Sequence, residues 1–224
     1  FTFHGFQYVE VSGMTVKPDI GALVGCVVHS SSPQTGIFVC SNPMVNKLFS
    51  NMSWGYRGNS FSIPTDCPQR DERLGWMGDA QIFVRTATYL RDVAAFFSKW
   101  TVDVEDAQSP EGAYADTSPR LRDIPKFEAA PAWGDAGVIV PWTVWRVYGD
   151  TRIIERHWDS MERWMKFLQA GNPNLLRKNQ LNNNYGDWLS TVSDADFGKS
   201  SLRKEQLATA YWAYDASLMA QMAG

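Results

Sequence analysis

The 224-residue sequence is poor in cysteine, histidine and net charge. Each shortage removes a class of function. Three cysteines, Cys26, Cys40 and Cys67, are too few and too scattered for a disulfide framework. No CxxC pair or Cys/His cluster offers a zinc site, so no metal is expected. The only histidines are His4, His29 and His157. None stands near Cys67 to activate it as a nucleophile, and no G-x-S-x-G elbow supports serine chemistry. His157 lies on a helical pattern and reads as a packed or surface side chain. The formal net charge of −3 leaves no basic stripe for nucleic acid. No run of 18 apolar residues exists to form a membrane-spanning helix. The opening Phe1-Thr2-Phe3-His4-Gly5-Phe6 has neither an initiator methionine nor a signal-peptide pattern. It starts as though inside a strand, so the chain is expected to be a piece of a longer polypeptide.

What the chain does have is concentrated. Between Asp66 and Asp79 lie four carboxylates (Asp66, Asp71, Glu72, Asp79), Arg70, Arg73 and Trp76, with Pro68, Gly75 and Gly78 shaping the backbone. A solvated loop has little use for Trp76, and a core segment does not hold four acids. Carboxylates beside an indole suit sugar chemistry. One acid donates a proton, others hold hydroxyls, and the indole covers the C–H face of a ring. Glycoside cleavage needs a carboxylic acid with a raised pKa and a second carboxylate. Crowding around Glu72 would keep one carboxyl protonated near neutral pH. The competing reading of any of these acids is a salt bridge to Arg70 or Arg73.

Two patterns meet near residue 40. Before it, residues 6–11, 22–28 and 36–40 are alternating or β-branched and predict strands, punctuated by Gly13, Pro18, Gly21 and Pro33. That is too little sheet to stand alone, so residues 1–40 are expected to end an upstream β domain. From residue 41 the period is helical. Asn42-Pro43 predicts a helix start running to about Tyr56. Further helices are expected over 79–101, capped by Asp79, over 138–148, from 152 to about 169, and over 202–222. Pro141 is placed in the first turns of the third helix or at a kink in it. Residues 103–130 read as a long loop over a pocket mouth, in which Asp116 and Asp123 receive no role.

An aromatic followed by Gly-Asp recurs as Trp76-Met77-Gly78-Asp79, Trp133-Gly134-Asp135 and Tyr185-Gly186-Asp187-Trp188. The aspartates are 56 (135 − 79) and 52 (187 − 135) positions apart, the length of a helical hairpin with its loops. If each Gly-Asp starts an inner helix, the three aromatics collect at one end of the assembly. Plain capping by Asp and turning by Gly would produce the same pattern.

The run Pro64–Gln81 closely resembles the signature of bacterial α-L-rhamnosidases of glycoside hydrolase family 78. The segments around Trp133-Gly134-Asp135 and Tyr185-Gly186-Asp187-Trp188 are similar to that family too. His4–Val9 resembles the end of the β-sandwich that precedes its catalytic domain. The resemblance implies a mainly α protein: part of an (α/α)6 barrel over 41–224, preceded by the last strands of a β-sandwich domain over 1–40. It implies Glu72 as general acid. Asp66, Arg70 and Asp79 would hold rhamnose hydroxyls, and Trp76, Trp133 and Trp188 would wall the pocket. No cofactor is implied; the partner is a rhamnose-containing glycoside or polysaccharide. The family inverts the anomeric centre with a late Glu as base. That Glu would lie beyond residue 224, because Glu205 is the sole glutamate after Glu162 and its setting reads as a helix surface. Two other readings stay open. One is an (α/α)6 enzyme for another sugar or a uronic acid, with Arg70 and Arg73 on its carboxylate. The other is a non-catalytic carbohydrate-binding module.

Overall fold

The computed structural model describes residues 3–121, 127–178, 183–189 and 203–224. Six α-helices are found among them: α1 Pro43–Gly58, α2 Met77–Leu90, α3 Ala94–Asp106, α4 Ala136–Tyr148, α5 Arg152–Gly171 and α6 Lys204–Ala223. A two-stranded ribbon, β1 Ser60–Phe61 and β2 Ile63–Pro64, turns the chain between α1 and the acidic run. The protein is therefore mainly α, as expected.

Local chemistry sets the start of α1 and the end of α4. The Asn42 side chain accepts a hydrogen bond from the Met44 amide, and Pro43 opens α1. Gly149 closes α4 at φ 70°, a left-handed conformation that costs glycine nothing. Helix α4 is the centre of the fold. It packs against α2, α3, α5 and α6, and Ala136–Pro141, Thr143 and Val144 are all buried. Pro141 lies in its second turn and leaves the Gly137 carbonyl without a helical donor. Helix α5 turns its stripe of Ile154, Met161, Trp164 and Leu168 to the same core.

Three expectations are corrected. The helix expected over 79–101 is two helices broken at Arg91–Val93. The break is tertiary in origin. The Arg91 guanidinium donates to the Ser32 carbonyl at 2.8 Å, the Asp92 amide donates to Pro33 O at 2.9 Å, and Leu90 O accepts from the Thr35 and Gly36 amides. Segment 32–36 thus takes over backbone groups that would have continued the helix.

The strands expected within 6–40 do not form among the described residues. The segment holds a three-residue 3₁₀ turn, Ile20–Ala22, and one isolated bridge, Gln34 to Arg91. Ile20, Val24, Ile37 and Val39 are exposed. A strand needs a neighbour for its amides and carbonyls, and among the described residues no second strand runs alongside 6–11, 22–28 or 36–40.

The described residues of 103–130 are not a surface loop. Asp103 to Asp106 finish α3, and Ala113–Ser118 run through the interior. This stretch bridges Trp76 through Thr117 and Glu128 through Ala115. Asp123 lies outside the described residues.

Candidate active site

The acidic run forms a closed loop. The Asp66 amide donates to Leu74 O at 2.8 Å and the Arg70 amide to Cys67 O at 3.2 Å. Cys67 and Arg73 take positive φ values of 46° and 55°, a cost that persists only where surroundings enforce it. The loop delivers its acids to the N-terminus of α2. Trp76 is the N-cap of that helix and has no side-chain cap bond. Asp79, expected as the cap, is instead the third helical residue, still favourably placed in the positive field of the first turn.

One cavity of about 850 Å³ opens here. Its lining includes the seven residues that the family resemblance assigns to the site, Asp66, Arg70, Glu72, Trp76, Asp79, Trp133 and Trp188, but not Asp71 or Arg73. Glu72 is held from two sides. The Trp76 indole N–H donates to Oε1 at 2.8 Å, and Arg70 makes an ion pair with Oε2. The salt bridge weighed as the competing reading therefore exists, yet it lies inside the cavity with the Arg70 side chain 62% exposed. Arg70 also donates to Cys67 Sγ at 3.2 Å, and that thiol donates to Asp66 Oδ1 at 3.0 Å.

Electrostatics differ among the acids. Burial lifts the Asp79 carboxyl above the usual carboxylate range, and the charges of Asp66 and Glu72 lift it further. A protonated Asp79 donates, whereas an ionised acid only accepts. The Cys67 thiol is also raised, first by its bond to Asp66 and then by burial. It is a poor nucleophile there. Asp66, Cys67 and Glu72 offer ligand atoms within 4.8 Å of one another. Arg70 already supplies positive charge to two of the three.

The aromatics of the Gly-Asp repeat do collect at one end. The Tyr185 ring meets Trp133 at 4.5 Å, Trp188 at 5.8 Å and Trp76 at 6.0 Å between centroids. Phe127 closes on Trp76 at 5.7 Å. Gly78 lets Trp133 come this close, because a Cβ there would stand 2.5 Å from the indole. Trp188 is 49% exposed and stands at the rim.

Two residues escaped the sequence reading, while His157 and Glu205 lie as it expected. Tyr185 lies at the centre of the aromatic cluster, and its membership in the repeat was the available signal. Asp116, fully buried, accepts from the Tyr185 hydroxyl at 2.9 Å, and no local pattern announces that pairing. His157 is buried against Glu105, 2.7 Å from Oε2, away from the cavity. Its imidazole pKa is lowered by burial, with the Glu105 hydrogen bond opposing. Glu205 is exposed at the start of α6 and does not line the cavity.

Packed helices whose N-termini converge on acids and indoles in one cavity are the architecture of a helical-hairpin glycosidase. Residues 33–224 match the bacterial alpha-L-rhamnosidase six-hairpin glycosidase domain. The chain belongs to this family, and its helices are part of the (α/α)6 fold. It is 45% identical over its whole length to an alpha-L-rhamnosidase of Streptomyces avermitilis and 36% identical to one of Formosa agariphila. It spans only 20% and 24% of those proteins. The crystal structure of a Streptomyces avermitilis alpha-L-rhamnosidase in complex with L-rhamnose superposes with a TM-score of 0.79 at 42% identity, over 87% of this chain and 18% of that one. The alpha-L-rhamnosidase from Dictyoglumus thermophilum gives 0.80 at 34% identity, over 89% and 22%.

Proposed function

We propose that the full-length protein hydrolyses terminal α-L-rhamnosides with inversion, and that Glu72 is the general acid. The observation that carries this is the double hold on the Glu72 carboxyl, by Trp76 and Arg70, inside a cavity of ligand-binding size. A proton donor must be fixed within reach of the glycosidic oxygen. The indole of Trp76 fixes it from the wall that the sugar itself would touch.

Asp66, Arg70 and Asp79 bind hydroxyls in this reading, and burial pushes the Asp79 carboxyl upward. Trp76, Trp133 and Trp188 give an apolar wall to the C–H face and the C6 methyl of rhamnose. An inverting pair stands roughly 6.5–9.5 Å apart to admit a water between its carboxyls. Asp66 and Glu72 have oxygens within 4.8 Å, too close for that arrangement. That pair is therefore not the inverting pair; in this reading the base is a Glu beyond residue 224, and a polypeptide ending at Gly224 is expected not to turn over.

The test is hydrolysis of an aryl glycoside panel by the full-length protein, with the product anomer followed by NMR. Rhamnose released with inverted configuration supports the reading. Retained configuration would make Asp66 the nucleophile, at the shorter spacing such pairs use. Release of another sugar keeps the fold and overturns the substrate. Binding without hydrolysis moves the protein to a non-catalytic module.

A further inference from the structure

Asp116 and Tyr185 have no part in proton transfer, yet every bond of Asp116 leads to a wall of the cavity. Its carbonyl accepts from the Met77 amide at 2.9 Å, next to Trp76. Its amide donates to Phe127 O at 2.9 Å, and Phe127 packs on Trp76. Its Oδ1 accepts from the Ala130 amide at 3.0 Å, three residues before Trp133. Its Oδ2 accepts from Asn183 Nδ2 at 3.1 Å and from the Tyr185 hydroxyl at 2.9 Å, three residues before Trp188. Two chain segments meet on its buried carboxyl, Ala130 from one and Asn183 and Tyr185 from the other, and a third, at Met77, meets its backbone carbonyl. The Tyr185 ring in turn touches all three pocket tryptophans.

A phenylalanine at 185 would bury nearly the same surface. What the hydroxyl adds is a fixed depth and rotation of the ring, set by a carboxylate that cannot leave the interior. Burial holds the phenol well above its ordinary pKa, so it stays a donor. Trp76 lies against this ring and donates to Glu72, so the orientation of the ring reaches the acid.

We propose that Asp116 and Tyr185 are positioning residues that tie the three tryptophan walls together and set the affinity of the site for its sugar. This rests on the reading of the site given above and adds the residues that hold it in register. Two substitutions in the full-length enzyme isolate the tie. Tyr185→Phe removes the hydroxyl and keeps the ring. Asp116→Asn keeps an acceptor for Ala130 and replaces the charge.

With a nitrophenyl α-L-rhamnoside, Tyr185→Phe is expected to raise KM by about 10- to 150-fold, the range carried by one hydrogen bond to a charged acceptor. The Kd for L-rhamnose by calorimetry should rise in parallel, with kcat moving less. Asp116→Asn should restore part of what Asp116→Ala loses. Wild-type KM and Kd in a folded Tyr185→Phe enzyme overturn the proposal. So does a loss confined to kcat that follows the folded fraction. If the wild-type enzyme ignores rhamnosides, the functional reading fails, and hydrogen exchange decides the tie alone. Faster exchange of the amides in 129–134 in Tyr185→Phe supports it, and unchanged protection overturns it.

Discussion

Gly78 sits at the second position of α2, beneath the indole of Trp133. An alanine Cβ there would meet Trp133 Cε2 at 2.5 Å, Cδ2 at 2.6 Å and Nε1 at 2.8 Å, where ordinary contact begins at 3.4 Å. Trp133 must give way by about 0.9 Å, the difference between 3.4 and 2.5 Å. It has little room, since the Tyr185 ring also packs on it, 4.5 Å away between centroids. Two effects oppose each other in Gly78→Ala. Helix propensity favours alanine by about 1 kcal/mol. Overpacking a closed site costs about 1–3 kcal/mol. The net effect on stability is therefore small, but the effect on the cavity wall is not. A displacement of about 1 Å in a positioning group can cost on the order of 100-fold. The full-length Gly78→Ala enzyme should lose about 10- to 100-fold in kcat/KM for an aryl rhamnoside, mostly through KM, with its helical signal intact. Steady-state kinetics and far-ultraviolet circular dichroism read both quantities. Unchanged KM together with a raised melting temperature would refute the reasoning, because propensity would then have won with Trp133 undisturbed.

Two further predictions concern the support behind the site. Arg177, 3% exposed, holds Asp135 Oδ1 and Oδ2 at 2.9 and 3.0 Å and donates to Ala129 O at 3.1 Å. Arg177→Met strands the Asp135 carboxylate in the interior and should destabilise the domain by about 3–5 kcal/mol in urea unfolding. Adding Asp135→Asn should recover part of the loss, and strict additivity of the two would contradict the pairing. Asp215, buried beside Asp135, has a carboxyl raised well above its ordinary range, first by burial and then by the Asp135 charge. Unfolded, it ionises near about pH 3.9, while folded it keeps its proton to higher pH, so its contribution is full at low pH and fades as pH rises. Asp215→Asn keeps the neutral shape, and an acceptor for the Trp164 indole that now bonds Oδ2 at 3.0 Å. Its melting temperature relative to wild type should climb from pH 4 toward neutrality. A pH-independent difference, or one of opposite sign, contradicts the shift.

The acidic loop, the starts of α1 and α5 and the convergence of the aromatics are legible in the sequence because they rest on short-range chemistry. Asn42-Pro43 caps its own helix, and the Asp66–Asp79 run carries its acids, arginines and indole within one loop. The break at Arg91–Val93 is not legible, because the groups that end α2 come from residues 32–36. The apolar residues of 6–40 read as strands, but a strand is completed by a neighbour, which the sequence of the segment does not contain. Residues 103–130 look like a loop by composition. The burial of 113–118 comes from bridges to Trp76 and Glu128 and from the bonds of Asp116, all long-range or conditional on the fold. The same holds for Tyr185, which is legible as a repeat member and illegible as the centre of the cluster.

The central claim is that Glu72 protonates the departing oxygen. The measurement that tests it most directly compares Glu72→Gln with wild type, as full-length enzymes, on two rhamnosides. One has a poor alkyl leaving group and the other an activated nitrophenyl group. Proton donation is worth about 10²–10⁴-fold where the leaving group needs it. The account predicts a loss of that order on the alkyl rhamnoside and a much smaller one on the nitrophenyl substrate. Equal and small losses on both would contradict it and remove Glu72 from the role.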